Sequence, residues 1–279
     1  MTSAASPSTH VPVRRHRRHP VRAFVRTPKG TLLLMLAVLL AVTGRVEGYR
    51  LVLPGVLTAT AVSGLVDLFV VRWRRRRWVL PDGALLTGVL IGAVLSSYEP
   101  LFVPAVAAAV AIVSKHALRT RATHIFNPAA VGLVLVFHLF DTAQNWWGAL
   151  QAIVPGAAWP LLLASGVFIA IRVNRVPLVL SFLAAYFALF AAATFVVDPA
   201  EVSEVFVAPD LLAAMFFALF MLTDPPTSPS RHAPQLVCGV LVATLSVAAF
   251  LVGGVADYLL LGLLGGNVFE AARRVRGGR

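Results

Sequence analysis

The sequence predicts an all-α, polytopic membrane protein of about ten transmembrane helices, arranged as two inverted five-helix repeats with short or broken helices. Three observations carry this: the composition, the placement of charge and a faint internal repeat. Of the 279 residues, 58% are apolar and only 13% charged, with a mean hydropathy of +0.83. Soluble domains carry about 25% charged residues, so an ordinary water-soluble enzyme is excluded. The single cysteine, Cys238, excludes disulfides and any iron–sulfur cluster held by this chain alone.

Apolar segments, read between charge clusters and prolines, fall at 31–44, 51–71, 84–97, 101–113, 128–140, 156–172, 176–197, 210–222, 234–252 and 255–272. Several hold only about 13–14 residues, which at 1.5 Å each cover about 20 Å of a roughly 30 Å hydrocarbon core. Such segments are either extended at their ends or are half-helices that stop at mid-membrane inside a protein-lined site. With the N-terminus inside, ten spans place 22 of the 24 Lys and Arg in inner stretches, leaving only Arg45 and Arg50 outside. This is the known orientation bias, and it predicts a plasma-membrane protein with both termini cytoplasmic. The net charge of +12 therefore reports topology. The run Arg72-Trp-Arg-Arg-Arg-Arg-Trp78 abuts a span, where it suits lipid headgroups; no nucleic-acid partner is expected.

The expected organisation is a disordered basic cytoplasmic arm (1–28), a first membrane repeat (29–140), an outer inter-repeat loop (141–155), a second membrane repeat (156–272) and a basic tail (273–279). The arm mimics a signal peptide, but no clean cleavage pattern follows at Thr43-Gly-Arg-Val, so the first span is read as retained. Within the repeats, Pro81-Asp-Gly-Ala-Leu-Leu answers Pro209-Asp-Leu-Leu-Ala-Ala, Ser97-Tyr-Glu-Pro100 answers Thr223-Asp-Pro-Pro226, and Asn127 answers Asn267. Five spans per half force opposite orientations, which would bring Asn127 to Asn267 and 95–100 to 222–228.

Asn127-Pro128 is a good helix start, and a buried helix N-terminus also suits an electron-rich ligand group. Thr223-Asp-Pro-Pro-Thr-Ser228 ends a short apolar run abruptly, as a plain turn or as the polar wall of a pocket. Asp67 lies inside a span within reach of Arg72, leaving a local ion pair and an ion pathway both open. His138 is the only intramembrane histidine, so the chain alone offers no bis-histidine haem site. No nucleophile–base pair, carboxylate dyad or metal-spaced cluster stands out, so no catalytic residue and no metal ligand is assigned.

Pro81-Asp-Gly-Ala-Leu-Leu-Thr-Gly88, Ile125-Phe-Asn-Pro-Ala-Ala-Val-Gly132 and Phe217-Ala-Leu-Phe-Met-Leu-Thr-Asp-Pro-Pro-Thr-Ser228 resemble the motifs of one membrane family. It contains the RnfD component of the Rnf electron-transport complex and the NqrB component of the sodium-pumping NADH:quinone reductase. Asn145-Trp-Trp147 also resembles the Rnf pattern, and the similarity spans roughly residues 30–272. The resemblance implies a ten-span inverted repeat, similar in plan to urea channels, that carries flavin in an ion-translocating redox complex with iron–sulfur or flavin partner proteins. In relatives one FMN is joined by a phosphoester to the Thr of a Ser-Gly-Ala-Thr type motif in the outer region between the halves. Residues 141–155 contain no such motif and only one hydroxyl, Thr142, so covalent FMN is expected to be absent and any flavin (FMN or riboflavin) non-covalent. The candidate cofactor contacts are Thr87, Thr123, Asn127, Thr223, Asp224, Thr227, Ser228 and Asn267. The rival readings are a permease or channel for a small polar solute on the same fold, and a redox-silent scaffold.

Overall fold

The computed structural model describes residues 24–120, 123–151 and 155–277; the expected arm therefore lies mostly outside the described residues. Among these, the secondary structure is eleven α-helices with no strand beyond two isolated bridges. Helix α1 (Pro28–Glu47) starts where the Thr27 hydroxyl accepts the Gly30 amide, with proline in its first turn. Helix α2 (Tyr49–Arg75) ends at Arg76, which is left-handed. Helices α3 (Asp82–Val94), α4 (Phe102–Ala117) and α5 (Pro128–Phe140) complete the first half. The second half holds α6 (Pro155–Arg172), α7 (Val176–Ala193), the short α8 (Pro199–Ser203), α9 (Asp210–Phe216), α10 (His232–Gly253) and α11 (Tyr258–Arg276). Helix α9 runs on into a π-helical turn, Phe217–Met221.

Every apolar segment is thus a helix, but length separates them. Helices α1, α2, α7 and α10 are long and apolar enough to cross a membrane; a fifth candidate is the pair Pro199–Phe206 and Asp210–Met221, bent by 54° at its break. Helices α3 and α5 have 13 residues each and cover about 20 Å. Helix α11 is longer, but its last turn carries Arg273, Arg274 and Arg276. By helix length and composition, the chain is a membrane protein with four or five candidate spans among the described residues, fewer than the ten its apolar segments suggest.

The two halves share part of their packing. Helix α4 lies on α2 and α5 in the first half, while α10 lies on α7 and α11 in the second; α5 meets α11 across the halves. Two glycines permit close approaches at matching positions in the two halves. Gly132, the fifth residue of α5, faces the Ala107 carbonyl of α4, with which any Cβ would collide. Gly262, the fifth residue of α11, faces Val242 and Ser246 of α10 in the same way. An aromatic cluster fills the second half around Phe182, Tyr186, Phe190 and Phe217.

The basic stretches collect at one end of the bundle. Lys29 bonds Asp82 at 3.1 Å, Arg74 reaches the His116 carbonyl, Arg172 the Arg26 carbonyl, Arg175 the Ser228 hydroxyl and Arg274 the Thr123 hydroxyl. Asp67 is part of this end and corrects one expectation. Its carboxylate takes Lys115 at 3.0 Å and His116 at 2.8 Å, both from α4, rather than Arg72. Residue 72 instead places its guanidinium over the Trp78 ring.

The far end holds the connection between the halves. There the Ser96 amide donates to the Ala143 carbonyl at 3.0 Å and the Trp146 amide to the Val94 carbonyl at 3.1 Å. Residues 95–100 therefore pack on the inter-half segment, and not on 222–228 as expected. The physical reason is direction: α3 starts beside 222–228 and carries residue 95 one whole helix length away.

Candidate functional site

The three motif stretches, far apart in sequence, meet at one cavity of about 630 Å³ at the basic end. From the first come Asp82, Gly83, Leu86 and Thr87; from the second Asn127 and Pro128; from the third Phe220, Thr223, Asp224, Pro225 and Pro226. Leu32 of α1 and Ile169 of α6 close the apolar walls, and Lys29, Lys115 and His124 complete the lining.

Local chemistry explains the third wall. The π-helical turn shifts the ladder so that the Leu222 amide reaches the Phe217 carbonyl, and Pro225-Pro226 prevents its continuation. The Thr223 hydroxyl donates to the Leu219 carbonyl at 2.8 Å. Beyond it Asp224 organises the turn: its carboxylate accepts the Thr227 hydroxyl at 2.9 Å and its carbonyl accepts the Ser228 hydroxyl at 2.7 Å.

Behind the cavity runs a buried amide network that joins the halves. The Asn127 side-chain oxygen caps α5 by accepting the Ala130 amide, while its Nδ2 donates to the Met221 carbonyl at 3.2 Å. The Asn127 backbone amide donates to Asn267 Oδ1 at 2.7 Å, and Asn267 Nδ2 donates to the Thr227 carbonyl at 3.3 Å. The Asn127–Asn267 contact expected from the repeat is therefore present. The two are not counterparts by position, however: Asn127 caps α5, and the residue at the cap of α11 is Asp257. Arg274 clamps the outside of this network, donating to Glu270, to the Thr123 hydroxyl and to the carbonyls of Pro226 and Ser228.

Of the predicted contacts, Thr87, Asn127, Thr223 and Asp224 line the cavity; Thr123, Thr227, Ser228 and Asn267 lie behind it in the supporting network. Thr87 donates to the Gly83 carbonyl at 2.9 Å, so the hydroxyl donors of Thr87 and Thr223 and one of the two Asn127 Nδ2 hydrogens are engaged within the chain. The free polar capacity belongs to residues that sequence reasoning passed over. His124 Nε2 is buried without a hydrogen-bond partner, 3.7 Å from Asp224 Oδ2. Lys29 and Lys115 each pair with a single acid, Asp82 and Asp67, and an ammonium has three donors. In the sequence both lysines enter only the count of inner basic residues, and His124 is not singled out. Among the described residues no group of three or more His, Cys, Asp or Glu is placed to hold a metal ion. Thr142, the one hydroxyl of the inter-half segment, is 3% exposed at the far end.

The family model described as "NQR2, RnfD, RnfE family" matches the chain in two regions, residues 16–159 and 144–272. A comparison with curated proteins finds no match.

Proposed function

The chain belongs to the NQR2, RnfD, RnfE family, and from that premise we propose that it is an Rnf-D-like integral membrane subunit of an electron-transport, ion-translocating redox complex. In this reading the basic-end cavity holds a flavin's ring system non-covalently. The observation that carries it is the convergence of all three motif stretches on one cavity. A volume of about 630 Å³ lies within the usual range for cofactor sites. Leu32, Leu86, Leu90, Ile169 and Phe220 offer apolar faces for a planar ring, and His124, Lys115, Lys29 and Asp224 offer groups for its polar edge. A bound flavin would supply the electron chemistry. The chain's part is to hold the ring, keep water from it with apolar walls, and set cationic donors beside it. Iron–sulfur or flavin proteins are the partners proposed to pass electrons to it, because the chain encodes no cluster site.

We further propose ten spans in two inverted repeats, with the basic end and both termini cytoplasmic. Support comes from the family model matching twice, from the shared glycine position in α5 and α11, and from the 22 of 24 basic residues assigned to one side. Four or five spans by length are compatible with this if the short helices enter as half-helices. The predominantly apolar lining favours a ring over a small polar solute.

The test is an optical spectrum of detergent-purified full chain, before and after acid precipitation. The expected result is a flavin spectrum whose chromophore moves entirely to the acid supernatant, with no fluorescent band at 29.8 kDa on a denaturing gel. Colourless protein, from cells making the whole complex, would contradict the flavin assignment. A fluorescent band would overturn the non-covalent part and point to Thr142.

A further inference from the structure

The cavity uses the first turn of α5; the last turn carries a separate polar pair. His138, with a side chain 51% exposed, brings Nε2 to 3.3 Å from Oδ2 of Asp257. Asp257 is 0% exposed, and neither of its carboxylate oxygens has a hydrogen-bond partner among the described residues. No other buried acid among them is left so. Asp67 holds Lys115 and His116, and Glu270 holds Arg273 and Arg274. An ionised carboxylate without hydrogen bonds is strongly disfavoured away from water, so this group needs either a proton or a cationic neighbour. The half-exposed imidazole is the one neighbour that can supply either.

We propose that Asp257 and His138 form a proton-binding site at the end of the bundle opposite the cavity, one residue from each half. The imidazole takes a proton from the medium at Nδ1 and gives the one on Nε2 to Oδ2 of Asp257. The products are a neutral imidazole and a protonated carboxyl; the reverse sequence releases the proton, and no electron moves. The surroundings leave the pair isolated. On α11, Tyr258 follows Asp257, but its hydroxyl is tied to Tyr186 of α7 at 2.9 Å. Asp210, at the start of α9, makes no ion pair with His138 among the described residues. The end of α10 and the turn to α11, residues 250–256, carry no ionisable side chain. Among the described residues, His138 alone lies within ion-pair distance of Asp257. The site does not rest on the flavin reading.

The test is infrared difference spectroscopy of the detergent-purified full chain as pH is stepped. The expected result is one protonated-carboxyl band that titrates, shifts in heavy water and is missing in Asp257→Asn. In His138→Gln the midpoint should move up by about one pH unit or more, a tenfold gain in proton affinity, because the imidazole beside Oδ2, which favours the ionised form, is gone. His138 is half exposed, so this second variant keeps the test usable even if Asp257→Asn does not fold. A spectrum unchanged by Asp257→Asn, or a midpoint unmoved by His138→Gln, would overturn the proposal.

Discussion

The two ends of the bundle solve the same problem differently. At the basic end, polar groups buried between the halves find partners inside the chain: Asn127 and Asn267 make four hydrogen bonds between them, and Arg274 binds Glu270, Thr123 and two carbonyls. At the far end, Ser97, Thr142, Gln144, Asn145, Trp147 and Asp257 all bury side-chain polar atoms that have no hydrogen-bond partner among the described residues. A buried polar atom left unpaired costs about 1–3 kcal/mol. The basic end is therefore largely closed by its own residues, with His124 Nε2 and Gln235 Oε1 left open. Among the described residues the far end is not closed in this way. The contrast separates an end whose buried polar groups are mostly paired from one whose polar groups are left for water, protons or another chain.

Asn127→Leu should show the larger effect. It removes the cap on the Ala130 amide and the partner of the Met221 carbonyl, two buried groups, for a loss on the order of 3 kcal/mol. Asn127→Asp keeps the cap acceptor and should lose about half as much. Thermal unfolding in detergent measures this, and flavin content should fall in the same order. If the two variants melted alike, the basic end would not depend on the amide network. The matching change at the far end is Thr142→Val, which swaps a partnerless hydroxyl for a methyl of the same shape. It should be neutral or slightly stabilising, within about 0.5 kcal/mol. A large loss there would mean that Thr142 is bonded after all, and the contrast between the ends would narrow.

Much of this was legible in the sequence, for physical reasons that also mark its limits. Every apolar run became a helix, since an apolar backbone has few other ways to satisfy its amides in lipid. Asn127-Pro128 was readable as a helix start, because capping is local chemistry, and the structure keeps that cap. Crossing the membrane was harder to read, because α3 and α5 are as apolar as α7 yet five residues shorter. The partner of Asp67 was misjudged because Arg72 is near in sequence, whereas Lys115 and His116 arrive from another helix. The repeat misaligned Asn127 with Asn267 by their letters. Helix position pairs Asn127 with Asp257 instead, a relation that needs the helix boundaries. The cavity's own charged groups, Lys29, Lys115 and His124, carry no motif and become a set only when folded.

The central claim is that the cavity where the three motifs meet holds a flavin's ring, and filling that space tests it most directly. Ile169, buried in the wall contributed by α6, lies outside all three motifs and outside the amide network. Ile169→Trp should take up volume that the ring needs while adding apolar contacts to the protein. The measurement is flavin per polypeptide in purified full chain, with the melting temperature recorded alongside. The account predicts wild type with close to one releasable flavin and the Trp variant with at least a tenfold lower content, at an unchanged or higher melting temperature. A stably folded Trp variant that retains the wild-type flavin content would place the flavin elsewhere and contradict the account.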